Sequence, residues 1–176
     1  SDVTVYPLTA KGTCLVLVNN EKTTAEFNNV TYVQSISDNI GYLQFNGTST
    51  AITVNNCDFL LTVDSQWQGL FGLRLGNGGW KATVNGSRIY IAGTQQLTFV
   101  HSDMKKDGAI TVTPEGATFT NTVIYAANSL TNNAIFPITF GEGVKMNKAY
   151  NFPLTDGYVA ARIDETKETL NGKDVT

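Results

Sequence analysis

Charge is scarce in this chain of 176 residues: Asp, Glu, Lys and Arg together make 15% of it, and the net charge is −3. With 12 basic residues against 15 acidic ones, no basic field exists to draw nucleic acid or anionic lipid, so neither is expected as a partner. The Glu, Lys, Ala and Leu abundance of a coiled coil is missing, and a hydrophobic fraction of 41% excludes collagen and disorder. Histidine occurs once, at His101, which removes His-based zinc sites on inventory alone. The longest apolar stretches, such as Cys14 to Val18, fall far short of the roughly 20 residues of a membrane-spanning helix. The start, Ser1-Asp2-Val3-Thr4-Val5-Tyr6, lacks a basic stretch followed by an apolar run. A secretory leader has therefore been removed, or the chain never used that route. Cysteine occurs twice, and Cys14 and Cys57 are either a pair or two buried free thiols.

What is abundant is Thr, Asn and Gly, with 24, 17 and 16 residues, the composition of a β-rich protein. Apolar and polar residues alternate with period two in about thirteen short runs, among them Glu26 to Val33, Asp58 to Val63, Trp80 to Val84, Arg88 to Ile91 and Ala117 to Ile124. Turn dipeptides such as Asn46-Gly47, Asn85-Gly86, Asp107-Gly108 and Asp156-Gly157 separate the runs, and links this short suggest antiparallel neighbours. Only Asp164 to Leu170 reads as helical. The expected fold is all-β, an antiparallel two-sheet jelly-roll β-sandwich. The alternative is a right-handed parallel β-helix, suggested by recurring Asn units at Phe27-Asn28-Asn29-Val30, Val54-Asn55-Asn56-Cys57, Val84-Asn85-Gly86-Ser87 and Phe119-Thr120-Asn121-Thr122. Their spacings of 27, 30 and 35 residues drift more than an ideal solenoid would. The three Asn-x-Ser/Thr sequons, at Asn29, Asn46 and Asn85, are no more than chance supplies in a chain this rich in Asn and Thr.

Several segments in order carry a resemblance. Tyr42 to Thr48 followed by Ala51 to Val54, then Asp58 to Val63, Phe71 to Leu75, Trp80 to Gly86, Leu97 to His101, Ala109 to Gly116, Phe136 to Gly141 and Asp156 to Ile163 resemble the strand motifs of the laminin G-like and concanavalin A-like lectin and glucanase superfamily. The resemblance covers roughly residues 41 to 170, with residues 1–40 as N-terminal strands or a linker and 41–176 as the sandwich. It implies a jelly roll, and a function among lectins, protein-binding modules, glycoside hydrolases and virion components.

The residues themselves narrow this. A retaining glycosidase needs two carboxylates about 5 Å apart, and no alternating Glu/Asp strand motif supplies them, so no enzyme activity is expected. Asp164, Glu165 and Glu168 fit a solvated face. Ser102 cannot complete a triad with His101, because adjacent strand residues point to opposite faces. Asp103 and Asp107 could ligate calcium in a loop, although two lysines share that loop and a hairpin turn explains the Asp-Gly pair. Trp67, Arg74, Trp80 and Tyr90 are the candidates for ligand contact: sugars stack on aromatic rings while Arg hydrogen-bonds hydroxyls. Trp67 sits in a polar loop; Trp80 begins a strand and could equally be core. The expectation is a non-catalytic, lectin-like adhesion domain, extracellular or on a virion, that binds a glycan or glycoprotein surface and could form a homo-oligomer. The alternative is a virion structural or accessory protein, such as a bacteriophage tail or capsid component.

Overall fold

The computed structural model describes residues 3–5, 16–18, 22–36, 43–45, 50–63, 69–73, 79–93, 97–102, 115–127, 130–131, 138–147, 161–162, 169–170 and 173–174. Among them every regular element is a β-strand, and no helix is long and apolar enough to cross a membrane. After β1 (Val3–Val5) the strands come in threes. The first coil holds β2 (Val16–Val18), β3 (Thr24–Asn28) and β4 (Val30–Ile36). The second holds β5 (Leu43–Phe45), β6 (Ala51–Asn55) and β7 (Asp58–Val63), and the third β8 (Gly69–Leu73), β9 (Lys81–Asn85) and β10 (Arg88–Ala92). Next come β11 (Leu97–Ser102), β12 (Gly116–Thr120) and β13 (Val123–Ala126), then β14 (Leu130–Thr131), β15 (Ile138–Phe140) and β16 (Lys145–Met146). Three short strands follow: β17 (Ala161–Arg162), β18 (Thr169–Leu170) and β19 (Lys173–Asp174).

Each coil gives one strand to each of three parallel sheets. A seven-stranded sheet runs β1-β4-β7-β10-β13-β16-β17; a second runs β14-β11-β8-β5-β2 and a third β15-β12-β9-β6-β3. This is a parallel β-solenoid, and it overturns the antiparallel jelly-roll sandwich. Short links had argued for antiparallel neighbours because they were taken to join strands of one sheet. Here consecutive strands belong to different sheets, and hydrogen-bonded neighbours lie a whole coil apart. Asn85-Gly86 is accordingly a corner between two sheets rather than a hairpin turn. The only antiparallel pair is β18 with β19, and Thr169–Leu170, expected at the end of a helical turn, is strand instead. Strands β1 to β4 register directly on the coil that follows, so the ladder is continuous across residue 40.

The Asn units seen in the sequence are the registered corner. Phe27, Val54, Val84, Phe119 and Phe140 stack in one column of the third sheet, and Tyr32, Phe59, Ile89, Ile124 and Met146 in one column of the seven-stranded sheet. The step from the first column to the second is five residues in four coils and six in the last. Coil length varies elsewhere. In the column Leu43, Phe71, Val100 of the second sheet, the step forward to the third sheet is 11, 13 and 19 residues. The drift that made the sequence look unlike a solenoid thus lies mostly on one side of the coil.

Two glycines and three asparagines turn the corner. Asn29, Asn56 and Asn121 have φ of 56°, 52° and 47°, and Gly86 and Gly143 have 61° and 72°. Asn and Gly are the residues that occupy this left-handed region at least cost. A Cβ on Gly86 would lie 2.4 Å from Oδ1 of Asn56, and one on Gly143 would lie 2.4 Å from Oδ1 of Asn121. Each of these asparagine side chains covers the glycine of the next coil. The amides of Asn29, Asn56, Gly86 and Asn121 each donate to a carbonyl of the following coil, at 2.8 to 3.1 Å.

Inside, the three sheets face one apolar core. Phe71 of the second sheet meets Phe119 of the third at 6.1 Å between ring centroids, and Phe119 meets Phe140 at 5.3 Å. Tyr32 and Phe59 pack edge to face. At the last coil the ladder ends on a side chain: Oδ1 of Asn147 accepts from the Ala126 amide at 2.8 Å, and its Nδ2 donates to the Ala126 carbonyl at 3.0 Å. Phe119 is fully buried between two coils, so Phe119→Ala is expected to destabilise the chain by about 3–5 kcal/mol, measured by urea denaturation.

Candidate functional site

Sequence and register together decide what each outer face presents. On the third sheet the outward columns are Glu26, Thr53, Thr83, Thr118, Thr139 and Asn28, Asn55, Asn85, Thr120. These polar groups largely serve one another. Asn55 Nδ2 donates to Asn28 Oδ1 at 2.9 Å, Asn28 Nδ2 to Glu26 Oε1 at 3.0 Å, and both Thr120 Oγ1 and Asn121 Nδ2 donate to Asn85 Oδ1. Lys81 and Glu115 pair at 3.2 Å at its margin.

The outer face of the seven-stranded sheet differs. One outward column reads Val33, Leu60, Tyr90, Tyr125, all half-buried and in register. The Tyr90 and Tyr125 rings stack at 5.6 Å between centroids and 28° between planes. This is the offset arrangement aromatic pairs prefer, in which neighbouring rings overlap only in part. At a strand spacing of about 4.8 Å the column spans about 14 Å along the solenoid axis. The next outward column, two residues away on each strand, reads Thr31, Asp58, Arg88, Val123, Lys145. Arg88 Nε donates to Asp58 Oδ1 and Arg88 Nη2 to Asp58 Oδ2, both at 2.7 Å. This two-bond fork is the geometry guanidinium and carboxylate are shaped for. The Asp58 side chain is 13% exposed and that of Arg88 40%, so the carboxylate is mostly covered while the guanidinium still meets solvent.

Of the four residues singled out for ligand contact, Tyr90 stands on this face. Trp80 does not reach any surface: it is completely buried, and its carbonyl accepts from the Glu115 and Gly116 amides of the next coil. It is a core residue, because the strand it introduces turns that position inward. Trp67, Arg74, Asp103 and Asp107 lie outside the described residues, as do Cys14 and the segment 164–168. His101 lies in β11, registered on Gly72. Among the described residues no group of three His, Cys, Asp or Glu could hold a metal ion. Tyr125, Asp58 and Arg88 were not singled out. Each sits in an alternating run, but their positions beside Tyr90 depend on partners 30 and 35 residues away.

Cys57 is a free, fully buried thiol, and the register explains it. Val30, Cys57, Ser87 and Thr122 occupy one corner position in successive coils. Val30 N donates to Cys57 Sγ at 3.5 Å, Cys57 N to Ser87 Oγ at 3.1 Å, and Ser87 N to Thr122 Oγ1 at 3.5 Å. Each side chain in turn donates back to the carbonyl two residues earlier: Asn55, Asn85 and Thr120. Burial pushes the Cys57 thiol above its ordinary pKa, outweighing the Val30 and Asn55 hydrogen bonds that work against it, so the S–H the ladder uses stays in place. Its role is structural.

No known protein-family model, curated protein or solved structure matches the chain.

Cys57→Ala leaves the Val30 amide without its acceptor and is expected to cost about 1–3 kcal/mol, whereas Cys57→Ser keeps a donor and acceptor and is expected to cost less. Urea denaturation ranks the two. The folded chain holds the Cys57 proton at a pH where the unfolded chain has lost it, so stability falls as pH rises from the ordinary thiol range toward the raised value. The alkaline decline should be shallower in Cys57→Ser, by thermal melts across alkaline pH.

Proposed function

We propose that this chain is a non-catalytic recognition domain that binds a glycan along the outer face of its seven-stranded sheet. The observation that carries the reading is the half-buried column Val33, Leu60, Tyr90, Tyr125, with its offset ring pair. Sugar rings have apolar C–H faces that pack on aromatic surface while their hydroxyls seek fixed donors and acceptors, and here the Asp58–Arg88 fork stands in the adjoining column. A column of about 14 Å accommodates an extended oligosaccharide laid across the strands. Binding without turnover fits the carboxylate present. Asp58 is tied to Arg88, and its registered neighbours on the flanking strands are Thr31 and Arg88, so no second carboxylate opposes it there. The third sheet is the weaker candidate, since its outward amides and hydroxyls are engaged with one another and carry no aromatic ring.

The test is a glycan-array screen of the purified chain with and without EDTA, beside Tyr90→Ala and Tyr125→Ala. Specific binding that falls about tenfold or more in either variant is expected, the loss of one stacking ring. Binding untouched by both substitutions would move the site elsewhere. Absence of binding under every condition would overturn the recognition reading in favour of an assembly role.

A further inference from the structure

The two groups of the Asp58–Arg88 pair sit on adjacent strands in the column beside the rings, and their charges cancel. From this we infer that the site reads uncharged glycans through vicinal hydroxyls. Arg88 is the contacting residue and Asp58 the positioning residue that holds it. The inference rests on the recognition reading above and names its ligand class.

The chemistry is that of a paired donor and acceptor. A guanidinium has five N–H donors, of which the fork takes one from Nε and one from Nη2. A carboxylate has about four lone-pair positions, and the fork occupies one on each oxygen. Held in one plane, such a pair presents donor hydrogens beside acceptor lone pairs, the pattern two neighbouring hydroxyls need, because each hydroxyl both gives and accepts a hydrogen bond. Arg88 and Tyr90 are two residues apart on β10, so both project outward, about 7 Å apart. A sugar packed against Tyr90 therefore has its hydroxyl rim toward the fork. Carboxylated glycans would instead need a net positive site. Arg88 cannot supply one while Asp58 neutralises it, and Lys145 stands two strands further along, in the row of Tyr125 rather than Tyr90. The fork also explains why arginine rather than lysine fits this position: a lysine would keep the charge and lose the fixed plane.

The experiment is isothermal titration of the whole chain with hexasaccharides of glucose, mannose, xylose and galactose, and with the galacturonate hexamer as the acidic counterpart, each at low and high salt. Arg88→Lys, Arg88→Gln and Asp58→Asn are measured alongside, with thermal melts to establish that each variant is folded. The expected result is binding of at least one neutral hexasaccharide with little salt dependence. That binding should fall about tenfold or more in Arg88→Gln, the worth of a charge-assisted hydrogen bond, without rescue by Arg88→Lys. A purely structural or charge role for Arg88 would be rescued by lysine, and that result would overturn the inference. So would binding confined to the galacturonate hexamer with a steep loss at high salt, which would leave the recognition reading standing. Failure of every sugar to bind the unsubstituted chain would overturn both. If Arg88→Gln and Arg88→Lys do not fold, Asp58→Asn decides, since it keeps the side-chain volume while removing the charge that holds the guanidinium; unchanged affinity in that variant would overturn the positioning role.

Discussion

The corner between the third and the seven-stranded sheet is the constraint on which this structure depends. Wherever the chain passes from β3, β6, β9 or β12 to the next strand, one residue takes a left-handed conformation and the following one turns a small side chain inward. Because every coil makes the turn in the same way, the strands before and after it are locked in register, and the apolar columns on both sheets stack like on like. The buried ladder of Val30, Cys57, Ser87 and Thr122 binds these corners to one another along the axis, using backbone amides that would otherwise be stranded in an apolar interior. Placement of Tyr90 over Tyr125 and of Arg88 over Asp58 follows from this register, since each pair comes from separate coils.

Individual strands were legible in the sequence, and their pairing was not. Alternation located β7 to the residue, at Asp58 to Val63, and placed β10 within one. It ran β3 into β4 and β12 into β13, because Asn29 and Asn121 interrupt the alternation by a change of backbone conformation that leaves no gap in the hydrophobic pattern. The recurring Asn units pointed at the solenoid. Their uneven spacing argued against it, because the unevenness of the second-to-third-sheet link was read as a property of the whole repeat. The direction of the sheets was misjudged for a related reason: a short link implies antiparallel neighbours only when it joins two strands of the same sheet.

The candidate site shows the same division. Tyr90 was visible as an aromatic in an alternating strand, on the polar side of the pattern. Trp80 was visible too, yet burial has removed it from any surface role, because a strand's first inward position is as good a place for an indole as an exposed loop. Asp58 and Arg88 begin their respective runs 30 residues apart, and nothing local marks them as partners. Features that come from one strand could be read directly; features assembled from two coils required the register.

The unequal reach from the second sheet to the third, 11 residues in one coil and 19 in another, has a consequence for how this chain tolerates change. Length added there leaves the five-residue corner step untouched, so neither the core columns nor the face bearing Tyr90 is displaced. One flank of the molecule is therefore open to elaboration, by natural insertion or by grafting, while the opposite edge keeps its count.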